Sequence, residues 1–353
     1  MNTELIYRNY KGYIRQKILF ILIVSLMLVI FIVAGITIGS AHIGINDLLS
    51  VFEGKGTNKF SQIIWNIRLP RVLSAVIAGT ALSVSGATMQ CILRNPLASP
   101  VSLGISHAAA FGAAFAIIVF GAGSTHSGTT GMVMINNPYI ITVSAFFFSL
   151  ISTGFILFLA KYRSATPTTI ILSGIIAGSL FMAGTSMLQY FADDVQLSSI
   201  IFWMFGDLGK AGWNDFYILL IIVIPSLIYF IYHRWNYNVM NSGDETAVSL
   251  GVNVERIRVT GMLVASLAAA IAVSFFGIIA FVGLVVPHIV RRFTGSDERF
   301  LIPASALFGG MFLLLSDTIA RTVLSPVVLP VGILTSFMGA PLFIYLLMKG
   351  LRS

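Results

Sequence analysis

The chain has 353 residues, of which 57% are hydrophobic and only 10% charged, with a formal net charge of +8; an ordinary soluble domain carries roughly 25% charged residues. No soluble core absorbs that much apolar surface, and the basic residues fall in short clusters between apolar runs rather than along one face, which excludes a nucleic-acid-binding surface and marks them as topology determinants. The single cysteine, Cys91, excludes a disulfide framework and a cysteine-based metal centre.

The chain opens on Arg8, Lys11, Arg15 and Lys17, followed by the apolar run Ile18 to Ile38. That run exceeds a secretory signal core of about 7 to 15 residues, so it reads as a first transmembrane helix behind a cytoplasmic segment, 1–17. Further spans are expected at 70–90, 101–121, 139–160, 170–190, 214–232, 258–276, 278–290, 301–320 and 332–349, about ten helices in one transmembrane domain covering residues 1–353. With the N-terminus inside, the inner connections carry Arg94, Lys161 with Arg163, His233 with Arg234, Arg256 with Arg258, and Arg291, Arg292 and Arg299, and the tail adds Lys349 and Arg352. An all-α polytopic membrane protein with both termini in the cytoplasm satisfies the positive-inside rule. The outer connections are poor in lysine and arginine apart from Lys55, Lys59, Arg68, Arg71, Lys210 and Arg321.

Small residues recur every fourth position at Ala75, Gly79, Ser83 and Ala87, and again at Gly261, Ala265 and Ala269. Such stripes let helix backbones approach where lipid supplies no hydrophobic drive. Each is followed by a glycine and, ten residues on, a proline: Gly86 to Pro96 and Gly277 to Pro287. An inverted repeat relating spans two to five with seven to ten is one reading; a stripe common to any helical membrane protein is the other.

Few ionisable groups lie within the spans: His107 is the clearest, with Asp215, His288 and Asp317 near predicted ends. Ion-coupled carriers ordinarily need intramembrane carboxylates, which disfavours the alternative of a secondary carrier working without an ATPase. No G-x-x-x-x-G-K-[ST] loop is present, so any ATP must be used by a separate chain. Gly206-Asp207 matches half of an intramembrane aspartyl-protease signature, but Met204 stands where that signature has glycine, and an enzyme is not expected. A lone His288 beside Pro287 supplies one metal ligand at most, so it reads as a hydrogen-bonding residue and no metal site is expected.

Two long motifs carry the most specific information. The first runs Arg68-Leu69-Pro70-Arg71, Ala78-Gly79-Thr80-Ala81-Leu82, Ser85-Gly86, Gln90 and Arg94-Asn95-Pro96-Leu97-Ala98-Ser99-Pro100. The second runs from Phe281-Val282-Gly283 through Pro287-His288-Ile289-Val290-Arg291 to Ser316-Asp317, Arg321, Leu329-Pro330-Val331-Gly332 and Gly339-Ala340-Pro341. Together they resemble the FecCD-type permeases of ATP-binding-cassette (ABC) importers for iron-siderophores, haem and cobalamin, in order and over nearly the whole chain. His107 in place of glycine, Ile278 and Ala280 in place of proline and glycine, and Val328 in place of a frequent glutamate depart from the family pattern and bear on the substrate subgroup.

The resemblance implies the functional assignments. Asn95-Pro96-Leu97, a helix breaker by its proline, would form an inner gate with Thr168 and Thr169. The inner connection 233–257, polar from Asn238 to Val254, contains Gly243-Asp244-Glu245-Thr246-Ala247 ahead of Leu250-Gly251 and would be the coupling helix that an ATPase subunit grips. Arg68, Arg71 and Arg321 would receive acidic residues of a substrate-binding protein, periplasmic or lipid-anchored. The expected assembly is two permease chains, identical or paralogous, with two ATPase subunits in the bacterial cytoplasmic (inner) membrane. This chain itself is expected to bind no cofactor.

Overall fold

The computed structural model describes residues 3–39, 43–54, 56–122, 125–126, 133–134, 138–162 and 166–350. Lys55, Arg163 and Arg352 lie outside the described residues, as do the side chains of Arg8 and Lys349. The helices are α1 (Thr3–Thr37), α2 (Ile45–Phe52), α3 (Asn58–Ile63), α4 (Leu69–Ile92), α5 (Ile105–Val119), α6 (Pro138–Tyr162), α7 (Pro167–Phe191), α8 (Asp194–Met204), α9 (Trp213–Asn241), α10 (Asp244–Ser249), α11 (Val254–Phe276), α12 (Val282–Thr294), α13 (Glu298–Thr322) and α14 (Val331–Gly350). A single wide turn, Ile64–Arg68, joins α3 to α4. Thr125–His126 pairs antiparallel with Val133–Met134.

Seven helical segments are long and apolar enough to cross a bilayer: 11–37, 58–92, 139–162, 167–191, 213–241, 254–276 and 298–322. Residues 105–119 and 331–345 are shorter apolar helices, and α12, with 13 residues, ends in Arg291 and Arg292. The central layer is set by burial: the most apolar stretch of 58–92 is 83% buried, that of α13 72% and that of α11 67%, against 17% for α1 and 22% for α9. α4 is thus the axis, packed on α13, α11, α9 and α12, while α1 and α9 turn wide apolar faces outward, as a lipid-facing helix does.

The small-residue stripes place α4 there. A methyl group on Gly79 would overlap the Gly309 carbonyl of α13, and one on Gly86 would overlap the Gly283 carbonyl of α12. Hydroxyl groups finish the contact: Thr80 donates to the Ala306 carbonyl at 2.9 Å and Ser83 to the Ser305 carbonyl at 2.8 Å. Interhelical hydrogen bonds of this kind are worth about 0.6 to 2 kcal/mol in a membrane.

Several expected boundaries shift for identifiable reasons. α1 begins fifteen residues before the expected start at 18, because the polar segment is itself helical. The span expected at 101–121 becomes α5 from Ile105, since Gly104 takes a left-handed backbone (φ 76°) and residues 93–104 turn. The span expected at 278–290 starts only at Val282, because Gly277 (φ 75°) and Phe281 (φ 66°) hold 277–281 out of the helix. α9 runs on to Asn241, so the non-helical part of 233–257 is limited to the stretches on either side of α10. The short α2, α3 and α8 were not expected.

Following the chain, the start of α1, residues 93–104, the start of α7, α10, residues 295–297 and the end of α14 gather at one end of the bundle. The end of α1, α2, α3, residues 205–212, 277–281 and 323–330 gather at the other.

Candidate functional site

At the α10 end, one carboxylate ties three segments together. Gly243 adopts φ 123°, which permits the sharp turn from α9 into the six-residue α10. The first residue of α10, Asp244, accepts hydrogen bonds from Arg94 at 2.6 Å and from Arg258 at 2.8 Å to each oxygen. Arg258 is itself buried, and its Nε donates to the Ile92 carbonyl at the end of α4 (3.1 Å), while Arg94 Nε donates to the Met240 carbonyl of α9 (3.2 Å). Arg94 sits at φ 45°, a conformation that costs a non-glycine residue energy and so depends on surrounding contacts.

Directly after Arg94 comes the expected gate. The Asn95 side chain accepts from the Leu97 amide at 2.9 Å, closing an Asx turn ahead of Pro96, and Pro96 and Leu97 are exposed. Inside this turn, Gln90 donates to the Leu284 carbonyl of α12 (3.2 Å) and accepts from Arg291 (3.2 Å). The end of α4 is therefore bonded to α10, α11 and α12 at once. Thr169 is engaged locally: Thr166 caps α7 by accepting from the Thr169 amide at 3.2 Å, and Thr168 is exposed beside it. On α10 Ala247 is buried, whereas Glu245, Thr246 and Val248, and Leu250 and Gly251 just after the helix, face outward, with Val248 and Leu250 about two-thirds exposed. Apolar side chains are thus presented to the outside on an otherwise polar turn.

A second clasp holds α1 to the same end. Lys17 lies 3.6 Å from Asp297 and 3.9 Å above the Tyr13 ring. Burial raises the Asp297 carboxyl, but hydrogen bonds from Arg299 and Asn238 outweigh it and hold the group well below the usual carboxylate range.

At the opposite end the three expected docking arginines come together, and all are largely buried. Arg71 grips Asp317 through Nε at 3.1 Å and a terminal nitrogen at 2.7 Å, and Arg321 reaches the same carboxylate at 3.2 Å. Asp317 has no exposure at all. Arg68, 5% exposed, donates to the Ile36 and Thr37 carbonyls at the end of α1 (2.6 and 2.9 Å), and Arg321 donates to Gly35 there (3.1 Å). The guanidinium groups thus satisfy carbonyls that the helix end leaves without amide partners. A cavity of about 300 Å³ opens among the three, walled by Ile63, Pro326 and Val328. Asp207 also stands 3.9 Å from Arg71, so two carboxylates face three cations and the cluster keeps a net positive charge.

The sequence alone picked out the arginines, Asp244 and the Asn95 turn, but not Arg94 and Arg258 as partners of Asp244, nor Asp317 as the common acceptor. His107, half-buried on α5, and His288, whose ring centroid lies 6.2 Å from that of Phe343, stand apart from both clusters. Among the described residues no group of three His, Cys, Asp or Glu is placed to hold a metal ion.

The FecCD transport family matches residues 26–349 of this sequence. A Methanocaldococcus jannaschii protein provisionally named an ABC transporter permease is 54% identical, covering 97% of each chain. The hemin transport system permease of Yersinia pestis is 36% identical over 93% of this chain and 96% of its own. A solved transporter, described as a provisionally assigned metal-chelate type ABC transporter in an inward-facing conformation, superposes with a TM-score of 0.82 at 30% identity, covering 93% of this chain and 98% of that one. The chain belongs to the FecCD transport family and is a multi-pass membrane permease.

Proposed function

We propose that this FecCD-family permease is the membrane subunit of an ABC importer that carries an iron-siderophore or related metal chelate inward, receiving it from a substrate-binding protein. Two permease chains, identical or paralogous, with two ATPase subunits complete the assembly in the bacterial cytoplasmic membrane. ATP is hydrolysed by those subunits and this chain binds no cofactor. Each chain is one permease domain with about ten crossings, arranged as an inverted repeat, with both termini and α10 in the cytoplasm. The basic residues at the α10 end support that orientation. The hemin permease among the relatives and the metal-chelate transporter among the structures support the cargo class.

The observation that carries the coupling assignment is the fastening of α10. Its outer surface (Glu245, Thr246, Val248, Leu250) is free to be gripped, while Asp244 ties its base to Arg94, one residue before the Asn95-Pro96-Leu97 turn. A push on α10 therefore moves the turn and the end of α4 with it, and with Thr168 and Thr169 the turn would form the inner gate.

The test replaces Val248 and Leu250 together with aspartate in the assembled transporter. Co-purification of the ATPase subunits and ATP-dependent uptake are both expected to fail while the permease still reaches the membrane. Retained ATPase with retained uptake removes α10 from the coupling role; uptake that never required ATP points instead to a secondary carrier.

A further inference from the structure

Between α6 and α11, at the α10 end, lies a groove of about 520 Å³ that neither clasp uses. Its α6 side is Gly154, Leu157, Phe158 and Lys161, spaced so that all four share one helix face. Its α11 side is Val259 with Asn253, Glu255 and Arg256. Nothing stands within van der Waals reach of a methyl group built on Gly154, so the helix backbone is open there, and Phe158 is two-thirds exposed. Lys161 and Arg256 are exposed and make no ion pair among the described residues, unlike Lys17, Arg94, Arg258 and Arg299 at the same end.

The groove is therefore graded along its length. From Gly154 to Lys161 the helix rises about 10 Å, apolar below and cationic above, with Glu255 leaving a net single positive charge at the rim. We propose that this groove holds an anionic phospholipid of the leaflet on the α10 side. One acyl chain lies along Gly154, Leu157 and Phe158 against Val259, and the headgroup phosphate sits between Lys161 and Arg256. Arginine's fixed fork suits two phosphate oxygens, and the lysine adds a mobile point charge. The occupant is a lipid rather than a soluble phosphate because the apolar half opens onto the lipid-facing surface of α6, where a free anion gains nothing. The proposal stands independently of the transport reading.

The full chain is reconstituted in nanodiscs of equal parts phosphatidylcholine and phosphatidylglycerol with matched acyl chains, and retained lipid is read by native mass spectrometry. Phosphatidylglycerol is expected to be enriched about fivefold, the effect of one net surface cation. Lys161→Gln with Arg256→Gln brings the ratio to parity, Lys161→Arg with Arg256→Lys restores it, and Gly154→Leu lowers retention of both lipids. Undiminished enrichment in the glutamine variant, or undiminished retention in Gly154→Leu, overturns the site. So does a glutamine variant that loses the ATPase subunits at unchanged enrichment, since the groove would then be a protein contact.

Discussion

Asp317 is a carboxylate with no access to solvent, yet it carries two guanidinium groups. Taking such a charge out of water costs several kcal/mol, and only well-made hydrogen bonds offset it. The bidentate Arg71 contact supplies them and the Arg321 ion pair adds charge attraction, so part of what these arginines do is hold α4 to α13 and both to the end of α1. This separates two roles that a charge-reversal at Arg71 would confound. Asp317→Asn is expected to cost about 3 kcal/mol of stability by leaving Arg321 without a carboxylate and Arg71 with only Asp207, 3.9 Å away, lowering the melting temperature. Because Asp317 cannot reach a partner, affinity for an acidic binding protein should persist and should weaken as salt rises. Affinity that disappears in the folded variant at every ionic strength would show that the docking assignment depends on clasp geometry rather than charge. The arginines were legible in the sequence as an anomaly of the positive-inside pattern. Their partner was not, since 246 positions separate Arg71 from Asp317 and no local pattern encodes the pairing.

Helix existence was legible wherever apolar runs are long, because hydropathy reports the cost of exposing a segment to lipid. It is blind to backbone breaks inside an apolar run, which is why the expected starts of α5 and α12 fell four residues early, before Gly104 and Phe281. The short α2 and α8 escaped because helices of 8 and 11 residues are too short to register as membrane spans. The small-residue stripe, by contrast, was read as a close-approach surface, as the contact of Gly79 with the Gly309 carbonyl bears out, and the neighbouring Gly86 gives a test at this scale. Gly86→Leu forces a side chain into the Gly283 backbone of α12, where backbone must move, and should cost at least about 3 kcal/mol. Little folded protein is expected in a fluorescence-detected size-exclusion profile. Gly12→Leu, at a position with open space around it, should give the wild-type profile. Normal accumulation of Gly86→Leu would mean that α4 and α12 are not locked together.

Across the whole molecule, the end of α4 is the point where α10, α11 and α12 are joined by side-chain hydrogen bonds from Arg94, Arg258, Gln90 and Arg291. Motion at α10 should accordingly appear at Leu97 and at Thr168. With Cys91→Ser as background, single cysteines at 97 and 168 are expected to change their rate of labelling by an aqueous thiol reagent severalfold when the ATPase subunits bind nucleotide. Equal rates in both states would exclude a nucleotide-driven gate there. The lengths of α5 and α12 carry a further consequence. At 15 and 13 residues they reach about 22 and 20 Å, against a hydrocarbon layer of about 30 Å. Where water follows the turns at 93–104 and 277–281 inward, the membrane voltage drops across that shorter distance and the local electric field steepens. Any anion crossing there toward a negative interior would meet that steepened field, at about 2.3 kcal/mol for each charge per 100 mV, within the thickness of two short helices.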